Sequence, residues 1–155
     1  MSMTVETVEA RTIASIRDSC AMEEMADAMG RGFGRIMSLL SAQGAAPVGP
    51  PMTIYPEPMA DGAPVVFETA VPVPRGTRGD DVVQVSEMPT AHVAVFMHEG
   101  PYSELGRTYI TAAGQMREAG LLPGGGPREI YLNDPGETPP EQLLTRIEFP
   151  VFEPD

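Results

Sequence analysis

Apolar and polar residues alternate through Val8, Ala10, Thr12, Ala14 and Ile16, a period of two that predicts a half-buried strand over Val5–Arg17. From Met22 to Gln43 the period changes. Met22, Met25, Met29, Phe33, Ile36, Met37 and Leu40 recur at helical steps and close one apolar face of a long helix, which Gly44 stops. The stretch Ala45–Pro51 reads as loop and Met52–Tyr55 as a short strand ended by Pro56 and Pro58. Asp61-Gly62 marks a turn, and Pro64–Val73 is the next strand.

After a glycine- and charge-rich connector over Pro74–Asp81, the same order of patterns returns. Val82–Met97 reads as a long strand or a bent pair around Pro89, and a helix follows from about Ser103 to Ala119 with apolar positions Leu105, Tyr109, Ala112 and Met116. Gly120 ends it. Arg128–Leu132 and Leu144–Val151 supply two more strands, separated by the turn Asn133–Gly136 and a helical turn opening at Thr138–Glu141. Laid under one another, the halves match in order: Thr12–Ile16 on His92–Phe96, Gly30 on Gly106, Gly44 on Gly120, Ile54-Tyr55 on Ile130-Tyr131, and Val71–Val73 on Phe149–Val151.

The expected fold is therefore α+β: two tandem strand-helix-strand-strand modules, about 1–75 and 80–155, forming one domain over 1–155 with an antiparallel sheet and two long helices. Open modules leave strand edges that pair about a pseudo-two-fold axis, and a cleft on that axis is the natural place for a ligand. Alternation then sorts the side chains. It places Ile130, Leu132, Ile147 and Phe149 against the helix and sends Glu129, Tyr131, Arg146 and Glu148 to the opposite side, with Tyr55 and Glu68 as their counterparts in the first half. Carboxylates among aromatic rings suit an apolar cation, and the same groups suit acid–base chemistry.

Composition narrows the chemistry. A formal net charge of -12, with no cluster of Lys or Arg, lacks the footprint of direct nucleic-acid binding. One cysteine and two histidines assemble no zinc cluster, so neither metal nor cofactor is expected. No apolar stretch approaches a membrane span and no signal peptide opens the chain, which points to a cytoplasmic protein. Gly30–Gly34 lies inside a helix, unlike a phosphate loop, and Arg78-Gly79-Asp80 sits in a turn. Cys20 has no basic neighbour to activate it, and His98 is expected to brace the junction before the second helix.

The segments Val93–Tyr102, Arg128–Pro135 and Glu137–Val151 together resemble the GyrI-like small-molecule-binding domain of bacterial multidrug-responsive regulators of the AraC and MerR types. The first half resembles it through Arg11–Arg17 and Phe67–Val73. The resemblance implies a pocket with aromatic walls and acidic groups that accepts hydrophobic, often cationic compounds, and it adds Phe96 and Tyr102 to the ligand-binding set of Tyr55, Glu68, Glu129, Tyr131, Arg146 and Glu148. The last strand departs from the family pattern, with Arg146 in place of an acid and Glu148 in place of an aromatic, and no Trp is present. The leading expectation is a free-standing module that senses or sequesters such a compound. Some family members hydrolyse cyclopropane-bearing genotoxins, which makes Glu129 or Glu148 the alternative base and Tyr131 or Tyr55 the donor. A third reading is a protein partner such as DNA gyrase.

Overall fold

A computed structural model describes residues 2–58 and 62–152 of the chain. Asp61, half of the expected Asp61-Gly62 turn, lies outside the described residues. The chain divides into two compact units, Ala10–Pro89 and a second one made of Met1–Glu9 and Thr90–Asp155. The fold class is α+β, with nine strands and two α-helices among the described residues.

In the unit Ala10–Pro89, β2 (Arg11–Cys20) pairs antiparallel with both β4 (Val65–Pro72) and β5 (Gln84–Met88), and β3 (Met52–Ile54) extends the sheet beyond β4. Helix α1 (Met25–Ala42) follows a 3-10 turn at Met22–Glu24 and buries Met25, Ala28, Gly32, Ile36 and Leu40. Steps of three and four residues carry these onto one stripe, where Ile36 and Leu40 meet Ala14, Val71 and Val83. Gly44 takes φ 68° to end the helix, a left-handed conformation open to glycine without a steric cost.

The other unit has the strand order β1-β6-β9-β8: β1 (Thr4–Val8), β6 (Ala91–Glu99), β9 (Leu144–Phe152) and β8 (Arg128–Tyr131), with the two-residue β7 (Leu122–Pro123) also on β9. Helix α2 (Leu105–Glu118) again follows a 3-10 turn, at Tyr102–Glu104, and packs Ala112 against Ala94, Phe96 and Val151. Phe96 is fully buried, a residue whose transfer from water contributes about 1.5–3 kcal/mol.

The predicted single strand Val5–Arg17 is in fact two strands. Thr4–Val8 pairs with β6, while Arg11–Cys20 pairs with β4 and β5, and Glu9-Ala10 is the break between them. Alternation persists across the break, so periodicity alone cannot see that the partners change. The predicted match of Gly30 with Gly106 is also one turn out. Counted from their first residues, Met25, Ala28, Gly32 and Ile36 of α1 stand where α2 has Leu105, Thr108, Ala112 and Met116, and the 18-residue α1 exceeds the 14-residue α2 by one turn at its C-terminal end.

Candidate functional site

The register of β8 on β9 decides which side chains meet. Arg128 lies opposite Glu148, Glu129 opposite Ile147, Ile130 opposite Arg146 and Tyr131 opposite Thr145. Directly opposed residues of an antiparallel pair share a face. Glu129 and Tyr131 therefore belong to the helix side with Ile147 and Phe149, and Arg146 and Glu148 belong to the other side with Arg128 and Ile130. This corrects the expectation that all four share one surface.

On the helix side Glu129 is 5% exposed, and each of its oxygens accepts a phenol proton. Tyr109 of α2 donates to Oε2 at 2.7 Å, and Tyr131 donates to Oε1 at 2.9 Å. Tyr102, in the turn before α2, sets its ring edge-on to Tyr131 with centroids 5.6 Å apart. Tyr109 in turn meets Phe149 at 5.5 Å, and Phe149 meets Phe96 at 5.7 Å. Edge-to-face contact of this kind is a favoured arrangement of aromatic rings. Burial pushes the Tyr102 phenol above its usual pKa, and the negative charges of Asp134 and Glu129 push it further. The Tyr102 hydroxyl thus reports an electronegative surrounding.

The opposite face is electrostatically closed. Glu148, 2% exposed, receives Arg128 Nε at 2.9 Å on one oxygen and Arg146 Nε at 2.8 Å on the other. Arg146 also donates to Glu6 at 3.2 Å. Burial works against the Arg146 charge, but its bonds to Glu148 and Glu6 outweigh this and raise its pKa. The Thr4 hydroxyl and then Arg146 hold the Glu6 carboxyl below its ordinary value. A recess of about 350 Å³ lies on this face, lined by Ser2, Thr4, Glu6, Val95, Met97 and Arg146.

The remaining predicted residues separate. Tyr55 is buried with Met25, Ala28 and Phe67 under α1. Glu68 lies across from Ile54 and Arg17 on the side of β4 away from α1, with Arg17 Nη1 at 3.7 Å. Phe96 is core, and Tyr102 joins Glu129 and Tyr131. Tyr109 was read only as a packing position of the helix stripe. Its signal was chemical: a phenol on a buried stripe needs an acceptor.

His98 braces the junction as expected. The Pro101 carbonyl can only accept, so Nε2 donates to it at 3.0 Å, and Nδ1 meets the Thr108 hydroxyl at 2.7 Å. The Arg78-Gly79-Asp80 turn has an internal role as well. Asp80 Oδ1 accepts the amides of Val82 and Val83, while its Oδ2 takes Arg35 at 2.6 Å. Among the described residues no group of three His, Cys, Asp or Glu is placed to hold a metal, and no helix is long and apolar enough to cross a membrane.

The site thus consists of a carboxylate set among phenols beneath a helix of a two-unit α+β scaffold. Residues 1–151 match the GyrI-like small molecule binding domain, and the chain belongs to that family. The C-terminal domain of EcmrR superposes with a TM-score of 0.84 at 18% identity, covering 99% of this chain and 98% of that one. EcmrR in its complex with DNA superposes at 0.88 and 18% identity; this chain covers 58% of its length. SAV2435 bound to tetraphenylphosphonium matches at 0.64 and 16% identity over 98% of this chain and 94% of that one. A hydrolase from Listeria innocua matches at 0.67 and 16% identity over 97% and 91%. At these identities the likeness is one of fold. No curated protein matches the chain.

Proposed function

We propose that the chain recognises a hydrophobic organic cation through the cluster of Glu129, Tyr109, Tyr131 and Tyr102. The observation that carries this reading is the pair of phenol hydroxyls on Glu129, 2.7 and 2.9 Å from its two oxygens. These donors stabilise a buried carboxylate yet carry no formal charge. Neither of these two donors cancels the negative field of Glu129, and phenol ring faces attract the same sign of charge as that field does. The neighbouring fold of SAV2435, solved with tetraphenylphosphonium, supports the choice of cation class.

The geometry favours binding over hydrolysis. A general base for water needs an oxygen directed at that water, whereas both oxygens of Glu129 are engaged with phenols. Glu148 is still less suited, since a guanidinium holds each of its oxygens. The shared order of strand, 3-10 turn, helix and three strands in each unit supports descent from one duplicated module. Calorimetric titration with tetraphenylphosphonium tests the main reading. Glu129→Gln should weaken binding at least about tenfold and also cost about 1–3 kcal/mol of stability, since an amide cannot accept from both phenols as the carboxylate does. Equal affinity in the variant and the parent chain would remove Glu129 from recognition.

A further inference from the structure

The space beneath the two helices is filled differently. Counted from the first helical residue, Ala28 and Gly32 of α1 stand where α2 carries Thr108 and Ala112. Counted back from the caps Ala21 and Pro101, Ile16 and Asp18 of β2 stand where β6 carries Phe96 and His98. Thr69 lies opposite Ile16 as Ile147 lies opposite Phe96. At all five positions the residue in Ala10–Pro89 is the smaller: Ile for Phe, Asp for His, Ala for Thr, Gly for Ala and Thr for Ile.

Part of the difference is taken up by a closer approach of helix and sheet, since a Cβ on Gly32 would lie 3.1–3.2 Å from the Thr69 side chain, and part remains as an open recess. In the other unit His98 and Thr108 meet at 2.7 Å and close the space. Under α1 a cavity of about 160 Å³ remains, with Ile16, Ala28, Gly32 and Thr69 among its walls and Asp18, Arg31 and Arg35 beside them. The recess is open to solvent past Val82, and a space of about 150 Å³ is large enough for one benzene ring. Two wall positions change in the opposite direction, since Arg31 and Arg35 stand where α2 has Thr111 and Gln115. Arg35 is bound to Asp80. Arg31 makes no hydrogen bond or ion pair among the described residues, and neither does the hydroxyl of Thr69, a residue only 1% exposed that lines the cavity.

We propose that this cavity binds a compact apolar monocarboxylate of about benzoate size, its ring against Ile16, Ala28 and Gly32 and its carboxylate at Arg31. The buried Thr69 hydroxyl supplies a further donor, and Asp18 opposes the ligand's charge. The site lies wholly within Ala10–Pro89 and is independent of the Glu129 cluster.

Titration of the full ¹⁵N-labelled chain with sodium benzoate tests this by amide chemical shifts. Saturable shifts should centre on Ile16, Gly32 and Thr69, and neutral benzamide should bind about tenfold more weakly. Arg31→Gln, at an exposed position with no partner to lose, should cost about tenfold in benzoate affinity, while Asp18→Asn should raise it several-fold. Absence of saturable shifts at concentrations on the order of 50 mM would overturn the proposal. So would equal affinity for benzamide, or an Arg31→Gln chain that binds benzoate as the parent does.

Discussion

Glu129 and Glu148 occupy adjacent strands and are almost equally inaccessible, at 5% and 2% exposure, yet their neighbours differ in kind. Glu148 lies between two guanidinium groups, and its charge is cancelled within the fold. Glu129 accepts from two phenols, and neither of these donors carries a charge to cancel its own. The first arrangement is structural, because a ligand cation would have to compete with two fixed arginines. The second is the arrangement on which the proposed recognition of a cation rests. Burial alone therefore does not mark a binding carboxylate; the charge of its donors does.

The largest expected effect comes from breaking the closed side. Glu148→Gln strands Arg128, whose side chain is 6% exposed and whose Nη2 already has no hydrogen-bond partner among the described residues. Removing one partner of a buried ion pair costs about 3–5 kcal/mol, so the thermal midpoint should fall by roughly 10 °C. A melt unchanged within a degree or two would show that the arginines do not depend on Glu148.

A smaller loss is expected on the helix side. Tyr109→Phe removes one of the two phenol donors to Glu129 and should cost about 1–3 kcal/mol in chemical denaturation, less than Glu148→Gln. If the two variants were equally destabilised, the distinction between neutral and charged compensation would fail. The smallest effect concerns Glu6 at the rim of the closed side. Its folded pKa is depressed by Thr4 and Arg146, so its contribution is present above the unfolded value of about 4.3 and is lost as pH falls through the folded value. The difference in melting between the parent chain and Glu6→Gln should accordingly be present at pH 7 and vanish in strong acid. A difference that grows on acidification would reverse the sign of this linkage.

Much of the fold was legible because its elements carry strong periods. Both helices, the stops at Gly44 and Gly120, and strands β4 and β9 follow from apolar spacing, and the 3-10 turn at Pro140–Gln142 from the prolines that open it. The site was legible in composition but not in its facing. Arg128, Glu129 and Ile130 are buried in succession, so β8 has no solvated side to betray its orientation, and the apolar Ile130 was wrongly turned to the helix. Only the nonlocal register on β9 resolves it. The division of Val5–Arg17 between two sets of partner strands was hidden for the same reason, since alternation reports a strand's faces and not its neighbours.

The most direct test maps where a lipophilic cation lands on the unaltered chain. Titration of ¹⁵N-labelled protein with tetraphenylphosphonium should move the resonances of Tyr102, Tyr109, Glu129 and Tyr131 in a saturable way. The recess lined by Glu6, Val95, Met97 and Arg146 should stay unmoved. Saturable shifts centred on that recess, with the Glu129 cluster silent, would contradict the account.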